Sequence, residues 1–124
     1  MGKKIFYFLT VILFMSFYSF GPYEFDSRST VFAYIQALKK GDIETIKSLI
    51  TEDLYEKRKV LLEQNGSYAD FLRKQYQGGT FTIKQANVQE GRGVFEIEAI
   101  FPDGHTRLVL HVKKNNSGKW QIAE

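Results

Sequence analysis

The sequence predicts an α+β fold in which N-terminal helices pack on a curved, four-stranded antiparallel meander sheet, preceded by an N-terminal signal or anchor segment. Three observations predict it. An apolar stretch without charge follows Lys3 and Lys4. Apolar residues then recur at helical spacing as far as Gly78-Gly79. From Thr80 onwards they alternate with polar residues, as they do in half-buried strands. Helices that all precede the strands indicate one α+β domain around a single core.

The length, cysteine count and net charge of the chain limit the classes of protein to which it can belong. A length of 124 residues is enough for one domain with its own core. The chain has no cysteine, which excludes disulfides, a thiolate nucleophile and cysteine-ligated zinc. Its formal net charge is +3, but Lys3 and Lys4 contribute to it and the other basic residues form short, separate groups. Nucleic-acid binders concentrate Lys and Arg on one face, so we expect no nucleic-acid partner.

Residues 1–21 predict export. Residues 5–20 carry no charge and follow the pair Lys3-Lys4, which is the arrangement of a signal sequence. The positive residues stay on the cytoplasmic side, so the rest of the chain is expected to be periplasmic, extracellular or anchored on the outer side of the cytoplasmic membrane. The alternative is a buried N-terminal helix of a cytosolic protein. It is disfavoured because the stretch is apolar on every face.

The fate of this segment stays open. Ser19-Phe20-Gly21 fits the small-x-small cleavage rule, but Pro22 follows it and disfavours cleavage. An uncleaved segment would be the only contact with the membrane. The predicted division of the chain is a signal peptide or uncleaved anchor over residues 1–21, a linker over 22–29 and the folded domain over 30–124.

Four helices are predicted between Ser27 and Gly78-Gly79. Gly41 can take the left-handed conformation that ends the first helix, and Asp42 caps the second. The third starts around Thr51–Asp53 and stops at Asn65-Gly66. Ser67 and Asp70 give a capping-box-like start to the fourth. The residues on the inward stripes of these helices are Val31, Phe32, Tyr34, Ile35, Leu38, Ile43, Ile46, Leu49, Ile50, Leu54, Tyr55, Arg58, Leu61, Leu62, Tyr68, Phe71, Leu72 and Tyr76.

Four strands are predicted over Thr80–Gln89, Gly93–Phe101, Thr106–Lys114 and Lys119–Glu124. The apolar phase of the first strand switches part-way, which predicts a β-bulge near Lys84–Gln85.

The turns between these strands predict the register of the sheet. Asp103-Gly104 is a preferred pair for a two-residue hairpin loop, which would place Phe95 beside Val112. Asn116-Ser117-Gly118 predicts a three-residue loop ending in a left-handed residue, which would place Ile122 beside Val112. Both turns bring apolar residues to the same face of the sheet, so they support one buried side.

The ionisable residues on the second and third strands are Glu96, Glu98, Arg107 and His111. The predicted register places Glu96 opposite His111, and a carboxylate beside an imidazole can carry out acid–base chemistry. These residues lie on the face opposite Phe95, which is the solvated face if helices cover the apolar one. Cross-strand charge pairing is therefore the plainer explanation.

No catalytic, metal or cofactor motif is present. Asp53 lies at a helix start, where aspartate normally caps. His105 follows a turn and His111 lies in a strand, which is not metal-ligand spacing. The chain contains no G-x-S-x-G, phosphate loop or dinucleotide fingerprint. We therefore expect no metal and no cofactor.

Three segments resemble the nuclear transport factor 2-like superfamily, in particular its small exported bacterial members of unknown function. They are VFAYIQALKKGDI over residues 31–43, SLITEDL from Ser48 and GKWQI from Gly118. The resemblance covers residues 27–124. It implies a curved sheet wrapped round helices, with a cavity at the open end of a cone. If such a cavity exists, the candidate ligand-binding residues are Tyr34, Tyr55, Tyr68, Tyr76 and Trp120. The alternative is that the tyrosines pack in the core with their hydroxyls reaching its rim.

That superfamily includes isomerases, dehydratases and hydrolases as well as binding, dimerisation and immunity modules, so the fold does not select a function. We expect a non-catalytic module of the cell envelope that binds a small apolar molecule or a protein partner. Two alternatives stay open: an isomerase- or dehydratase-like enzyme that uses a tyrosine with Asp53 or a strand glutamate, and a dimerisation or immunity-type accessory protein that uses the outer sheet face.

Overall fold

The computed structural model describes residues 22–64 and 66–124, with side chains from Asp26 onwards. The predicted signal or anchor segment lies outside the described residues. The helices are α1 (Pro22–Lys40), α2 (Ile43–Leu49), α3 (Glu52–Leu62) and α4 (Ser67–Tyr76), and the strands are β1 (Thr80–Gln89), β2 (Arg92–Phe101), β3 (Gly104–Lys114) and β4 (Trp120–Ile122). This order confirms the predicted α+β class. None of the described helices combines the length and the apolar character that a bilayer crossing requires.

The first helix begins earlier than predicted. α1 starts at Pro22 rather than near Ser27, so residues 22–29, predicted as a linker, are helical. Proline is favoured at the first helical position, where its missing N–H would have no partner in any case. Ser27, within this helical segment, is fully buried.

The helix caps were predicted with mixed success. Gly41 takes the left-handed conformation after α1, with φ of 65°. Asp42 accepts a hydrogen bond from the Thr45 backbone N–H at 3.2 Å, and Thr51 caps α3 through its hydroxyl. The capping box at the start of α4 is wrong. Gly66 is the cap residue there, while the Ser67 hydroxyl bonds to the side chain of Gln64.

Three residues predicted to face inward are exposed instead. The exposed fractions are 62% for Phe32, 42% for Leu61 and 56% for Phe71. Each lies next to a residue that is buried, and successive residues on a helix point about 100° apart. On each of these helices the apolar stripe is therefore wider than the surface that packs against the core, and the three exposed side chains lie at the margin of the stripe. The buried neighbours are Val31, Leu62 and Leu72.

The four strands form one antiparallel sheet in the order β1-β2-β3-β4, as predicted. The bulge is also confirmed, because the register of β1 against β2 shifts between Ile83 and Gln85. On β2 the inward residues Phe95, Ile97 and Ala99 are fully buried.

The last hairpin has the predicted register. Val112 lies opposite Ile122, and the Asn115 N–H donates to the carbonyl of Lys119 at 2.8 Å across the three-residue loop. Gly118 ends that loop in the left-handed region, with φ of 84°.

The hairpin between β2 and β3 is two residues out of the predicted register. Phe95 lies opposite Leu110 rather than Val112, and the turn residues are Pro102-Asp103 rather than Asp103-Gly104. Proline has the φ that the second position of a type I turn requires, and glycine is favoured at the fourth. The proline therefore places the turn one residue earlier. A shift of two residues leaves every side chain on its predicted face.

The core lies between the helices and the inward face of the sheet. Its buried members are Val31, Tyr34, Ile35, Ala37, Leu38, Ile46, Ile50, Leu54, Leu62, Leu72, Phe95, Ile97, Leu110, Val112, Trp120 and Ile122. Short β4 holds the two layers together. The Thr51 N–H donates to the carbonyl of Ile122 at 2.9 Å, and the Gln121 side-chain amide donates to the carbonyl of Ile50 at 3.1 Å.

Candidate functional site

The candidate site begins with a contact between α1 and α3. Arg58 donates from Nη1 to the Tyr34 hydroxyl at 3.2 Å. Tyr34 is almost completely buried, while Arg58 is partly exposed, so the guanidinium covers the end of the buried phenol. Burial raises the pKa of the Tyr34 hydroxyl, and the nearby positive charge of Arg58 opposes that increase. The phenol is therefore neutral and protonated at physiological pH.

Two further tyrosines, both on α4, influence the electrostatics of the Tyr34 hydroxyl. Tyr68 and Tyr76 are both half-buried and pack against the core. Both lie close enough to influence the pKa of Tyr34, and both influences raise it. Burial also raises the pKa of Tyr76, as does the neighbouring Tyr68. We call Tyr34, Arg58, Tyr68 and Tyr76 the phenol–guanidinium cluster.

Aromatic rings extend the cluster in two directions. Tyr68 stacks on the exposed ring of Phe71, with ring centroids 6.3 Å apart. The ring centroids of Tyr76 and Phe81 are 6.3 Å apart, and those of Phe81 and Phe101, which pack edge to face, are 6.0 Å apart. The polar tips are therefore flanked by apolar surface. This combination suits a ligand with an apolar body and one polar group.

The hydrogen-bonding capacity of the cluster is largely unused within the described part of the chain. The ion pairs found there involve other residues, so no acidic side chain neutralises Arg58. Its hydrogen bond goes to a neutral phenol. A guanidinium offers five donors in a planar fork that matches a carboxylate or a phosphate. The arrangement can therefore bind an anionic group.

Tyr55, also predicted as ligand-binding, lies apart from the cluster in a polar network. Its hydroxyl donates to Glu63 Oε1 at 2.7 Å, and the same oxygen is 3.0 Å from Lys47 Nζ. The hydrogen bond to Glu63 is the main cause of a raised pKa of Tyr55. That bond, followed by the one from Lys47, lowers the pKa of Glu63. The network joins α2 to both ends of α3.

Trp120, the fifth predicted ligand-binding residue, packs in the core. It is 3% exposed, and its indole Nε1 has no hydrogen-bond partner among the described residues. Lys114 Nζ lies 6.0 Å from the centre of its ring. Thr30 donates its hydroxyl to the Trp120 carbonyl at 3.4 Å, so the residue joins α1 to β4.

The strand residues considered for acid–base chemistry lie on the outer face of the sheet. In the observed register Glu96 faces Val109 rather than His111, and Glu98 faces Arg107. The predicted opposition of a carboxylate and an imidazole is therefore wrong, because the turn lies one residue earlier. Glu98 is also 3.9 Å from Lys84 Nζ on β1. Cross-strand charge pairing accounts for this group.

The remaining ionisable residues form no site in the part of the chain that the structure describes. Asp53 is exposed in the first turn of α3, where Thr51 is the capping residue. His105 and His111 are both exposed. No group of histidine and acidic residues within the described ranges has metal-binding geometry.

Two surface cavities lie outside the cluster. A shallow cleft of about 480 Å³ lies at the β1–β2 hairpin end of the sheet, with Arg92, His111 and Lys113 among its lining residues. A groove of about 230 Å³ runs between α1 and the beginning of β1. Neither of these two cavities is lined by the five predicted tyrosine and tryptophan residues, whose role as ligand contacts stays a prediction.

Arg58 is the residue of this site that the sequence analysis did not select. A signal for it was present, because it is the charged residue on the inward stripe between Leu54 and Leu62. A charge on an apolar helical stripe is usually paired or functional.

The fold of this domain is similar to that of proteins whose structures have been solved. The domain superimposes on a Campylobacter jejuni protein described as a candidate NTF2-like transpeptidase, with a TM-score of 0.59 and 12% identity over 78% of this chain and 97% of the other. It also superimposes on an NTF2-like protein of unknown function from Silicibacter pomeroyi, with a TM-score of 0.54 and 14% identity over 79% of this chain and 87% of the other. The protein has a nuclear transport factor 2-like fold.

The predicted resemblance is thus confirmed at the level of the fold. In this nuclear transport factor 2-like domain, the members of the cluster lie on the three helices α1, α3 and α4. The low identities show the fold alone, so neither neighbour's description extends to this chain. No family model matches the sequence, and no curated protein matches it.

Proposed function

We propose that the protein is a non-catalytic binding module of the cell envelope and that it binds a small, mainly apolar molecule carrying an acidic group. The observation that carries this proposal is the Arg58–Tyr34 hydrogen bond at 3.2 Å, with two more phenols nearby and no acidic partner among the described residues. The envelope location rests on the charge-free segment that follows Lys3-Lys4.

The acidic group follows from the chemistry of the donors. Tyrosine hydroxyls and a guanidinium present hydrogens, and only an acceptor can use several of them at once. An ionised acceptor gains most, because charge-assisted hydrogen bonds are worth about 1.5–3 kcal/mol each. The apolar body follows from the flanking rings of Phe71, Phe81 and Phe101.

The same groups favour binding over catalysis. A tyrosine hydroxyl ordinarily ionises near pH 10, and burial raises the pKa of Tyr34 and Tyr76 further. A general acid–base catalyst works best with a pKa near the operating pH. Tyr34 and Tyr76 are therefore better suited to donating hydrogen bonds than to exchanging protons near neutrality.

Matched probes test the acidic group. Decanoate and decanol have the same apolar chain, and only decanoate carries a carboxylate. We expect decanoate to bind at least about tenfold more tightly, since one charge-assisted hydrogen bond is worth more than 1.4 kcal/mol. Titration calorimetry measures both affinities, and native mass spectrometry of the protein purified from its host shows whether a natural ligand copurifies.

Variants of one residue assign the effect to the cluster. Arg58→Gln should remove the preference for decanoate while leaving decanol binding unchanged. Arg107→Gln, an exposed strand arginine on the outer face, is the matched control and should retain the preference. Equal affinities for both probes in the unmodified protein, or a preference that survives Arg58→Gln, would contradict the proposal.

A second candidate function is self-association through the outer sheet face. Val94, Ile100 and Val109 are 36%, 47% and 45% exposed there. Exposed apolar residues on a sheet can mark an interface. Sedimentation velocity over a range of concentrations tests this candidate. A dimer that Val109→Asp dissociates would support it, and a monomer at every concentration would contradict it.

A further inference from the structure

A groove with four apolar side chains, those of Phe32, Ile35, Phe81 and Ile83, separates α1 from the beginning of β1. It has a volume of about 230 Å³ and contains no acidic residue. Ile35, which is almost completely buried, lines it together with the exposed ring of Phe32. The other lining residues are Gln36, Lys39, Gly79, Thr80, Phe81 and Ile83. The groove accounts for the position of Phe32, whose ring lies beside an open apolar channel rather than in the core.

One side of this groove is the edge of the sheet. In the described part of the chain β1 pairs with β2 alone, so the backbone N–H and C=O groups on its other side are unpaired. Proteins usually protect such an edge with charges, bulges or a very short strand. β1 has ten residues, and its bulge and Lys84 come only after Ile83. Within the part of the chain that the structure describes, residues 80–83 are therefore a regular, uncharged and unprotected edge.

The charge on the groove indicates what can occupy it. Lys39 is the charged lining residue, and its Nζ lies 5.8 Å from the centre of the Phe81 ring. A complementary segment would carry a carboxylate at that end. A second copy of β1 would not supply one, because residues 80–89 contain no acidic residue. Charge therefore favours a different chain over self-pairing.

We propose that the edge of β1 and the α1–β1 groove bind an extended, acidic peptide segment of a protein partner by strand addition. The partner's backbone would pair with residues 80–83, and its alternate apolar side chains would enter the groove beside Phe32 and Ile35. Backbone pairing supplies affinity in this mode, and pockets for alternate side chains supply specificity. The groove shares the Phe81 ring with the apolar flank of the proposed ligand site but contains none of the four members of the phenol–guanidinium cluster, so the inference does not depend on the proposed ligand.

Two peptides and their backbone analogue test the mode of binding. The probe is acetyl-Thr-Val-Thr-Val-Glu-amide at millimolar concentration, added to isotopically labelled protein and followed by amide NMR. We expect shifts at residues 80–83 and at Phe32. The same peptide with methylated valine nitrogens cannot donate to the ladder and should cause none of these shifts. A peptide ending in Gln should bind about threefold more weakly, because an exposed ion pair is worth under about 1 kcal/mol.

Variants separate the groove from general surface effects. Phe32→Ser removes a groove wall and should weaken binding of the probe at least about threefold, since an apolar contact of this size is worth about 1 kcal/mol. Val60→Ser is the control, because Val60 is also an exposed apolar residue but lies on α3 outside the groove. Lys39→Glu should reverse the preference, so that a peptide ending in Lys binds better than one ending in Glu.

Several outcomes would overturn the inference. They are the absence of shifts in residues 80–83, equal binding of the methylated peptide, or equal loss in both serine variants. Concentration-dependent dimerisation that Phe32→Ser abolishes would assign the edge to a second copy instead, and would equally overturn the peptide assignment.

Discussion

Glu63 shows how single side chains set the local electrostatics of this domain. Its carboxylate accepts from Tyr55 and contacts Lys47, and both interactions lower its pKa. A carboxyl group with a lowered pKa in the folded state stabilises that state above its ordinary pKa, about 4.3. The contribution is lost as the pH falls through the lower, folded-state pKa. The α2–α3 contact is therefore expected to weaken in acid.

Removing the Tyr55 hydroxyl tests this network. We expect Tyr55→Phe to raise the pKa of Glu63 towards its ordinary value, because the larger of its two stabilising hydrogen bonds is lost. Carboxyl NMR titration measures the change. Tyr68→Phe removes a hydroxyl that does not contact Glu63 and should leave that pKa unchanged. A Glu63 titration that is the same in Tyr55→Phe and in the unmodified protein would contradict the assignment.

Gly79 lies where two aromatic rings leave no room for a side chain. A β-carbon added there would lie 2.6 Å from a ring carbon of Phe101 and 2.9 Å from one of Phe81, whereas one added at Gly78 would meet nothing within 4 Å. Inserting atoms into a packed site usually costs about 1–3 kcal/mol. We expect Gly79→Ala to lower the free energy of unfolding by about that amount in urea denaturation, and Gly78→Ala to change it by less than about 0.5 kcal/mol. Equal effects of the two substitutions would show that the rings give way.

At the level of the secondary-structure elements, Thr51, the N-cap of α3, makes two hydrogen bonds at the start of that helix. Its hydroxyl accepts from the Leu54 N–H at 3.2 Å, while its own N–H donates to Ile122. Thr51→Ala removes only the side-chain bond, so we expect a loss of about 1 kcal/mol in the free energy of unfolding. Thr51→Ser retains the hydroxyl and should restore most of that stability. Equal destabilisation by alanine and serine would mean that the methyl group, not the cap, stabilises this junction.

Turns decided how well the register of the strands could be predicted. The loop at Asn116–Gly118 has one residue able to end it in the left-handed region, so a single register was available and the prediction was right. Pro102-Asp103-Gly104 contains two overlapping turn signals, the pair Asp-Gly and a proline suited to the second position of a type I turn, and the proline determines the observed register. Alternation of apolar residues could not correct the error, because a shift of two residues preserves both faces.

The candidate site was less predictable than the sheet because it is assembled from separate helices. Periodicity placed Tyr34, Tyr68 and Tyr76 on inward stripes, but it could not show that Tyr34 bonds to Arg58 or that the other two tyrosines influence its hydroxyl. Which residues of different helices converge depends on crossing angles and contact positions, which a single sequence does not fix. The same reason explains Tyr55, which lies on the inward stripe of α3 and yet belongs to a different, polar network.

At the scale of the whole molecule, helices and sheet share one core, so they are expected to unfold together. The chain's single tryptophan reports on that core, because Trp120 is 3% exposed on β4 and bonded to Thr30 of α1. Helix content, measured by far-ultraviolet circular dichroism, reports on the other layer. Single domains of this size usually unfold in one cooperative transition without populated intermediates.

We expect the urea transitions of Trp120 fluorescence and circular dichroism to have the same midpoint and slope. Ile122→Ala, which empties a fully buried site on β4, should lower both midpoints equally and cost about 2–5 kcal/mol. A fluorescence transition that precedes the loss of helix would show instead that β4 detaches from a helical layer that is stable without it.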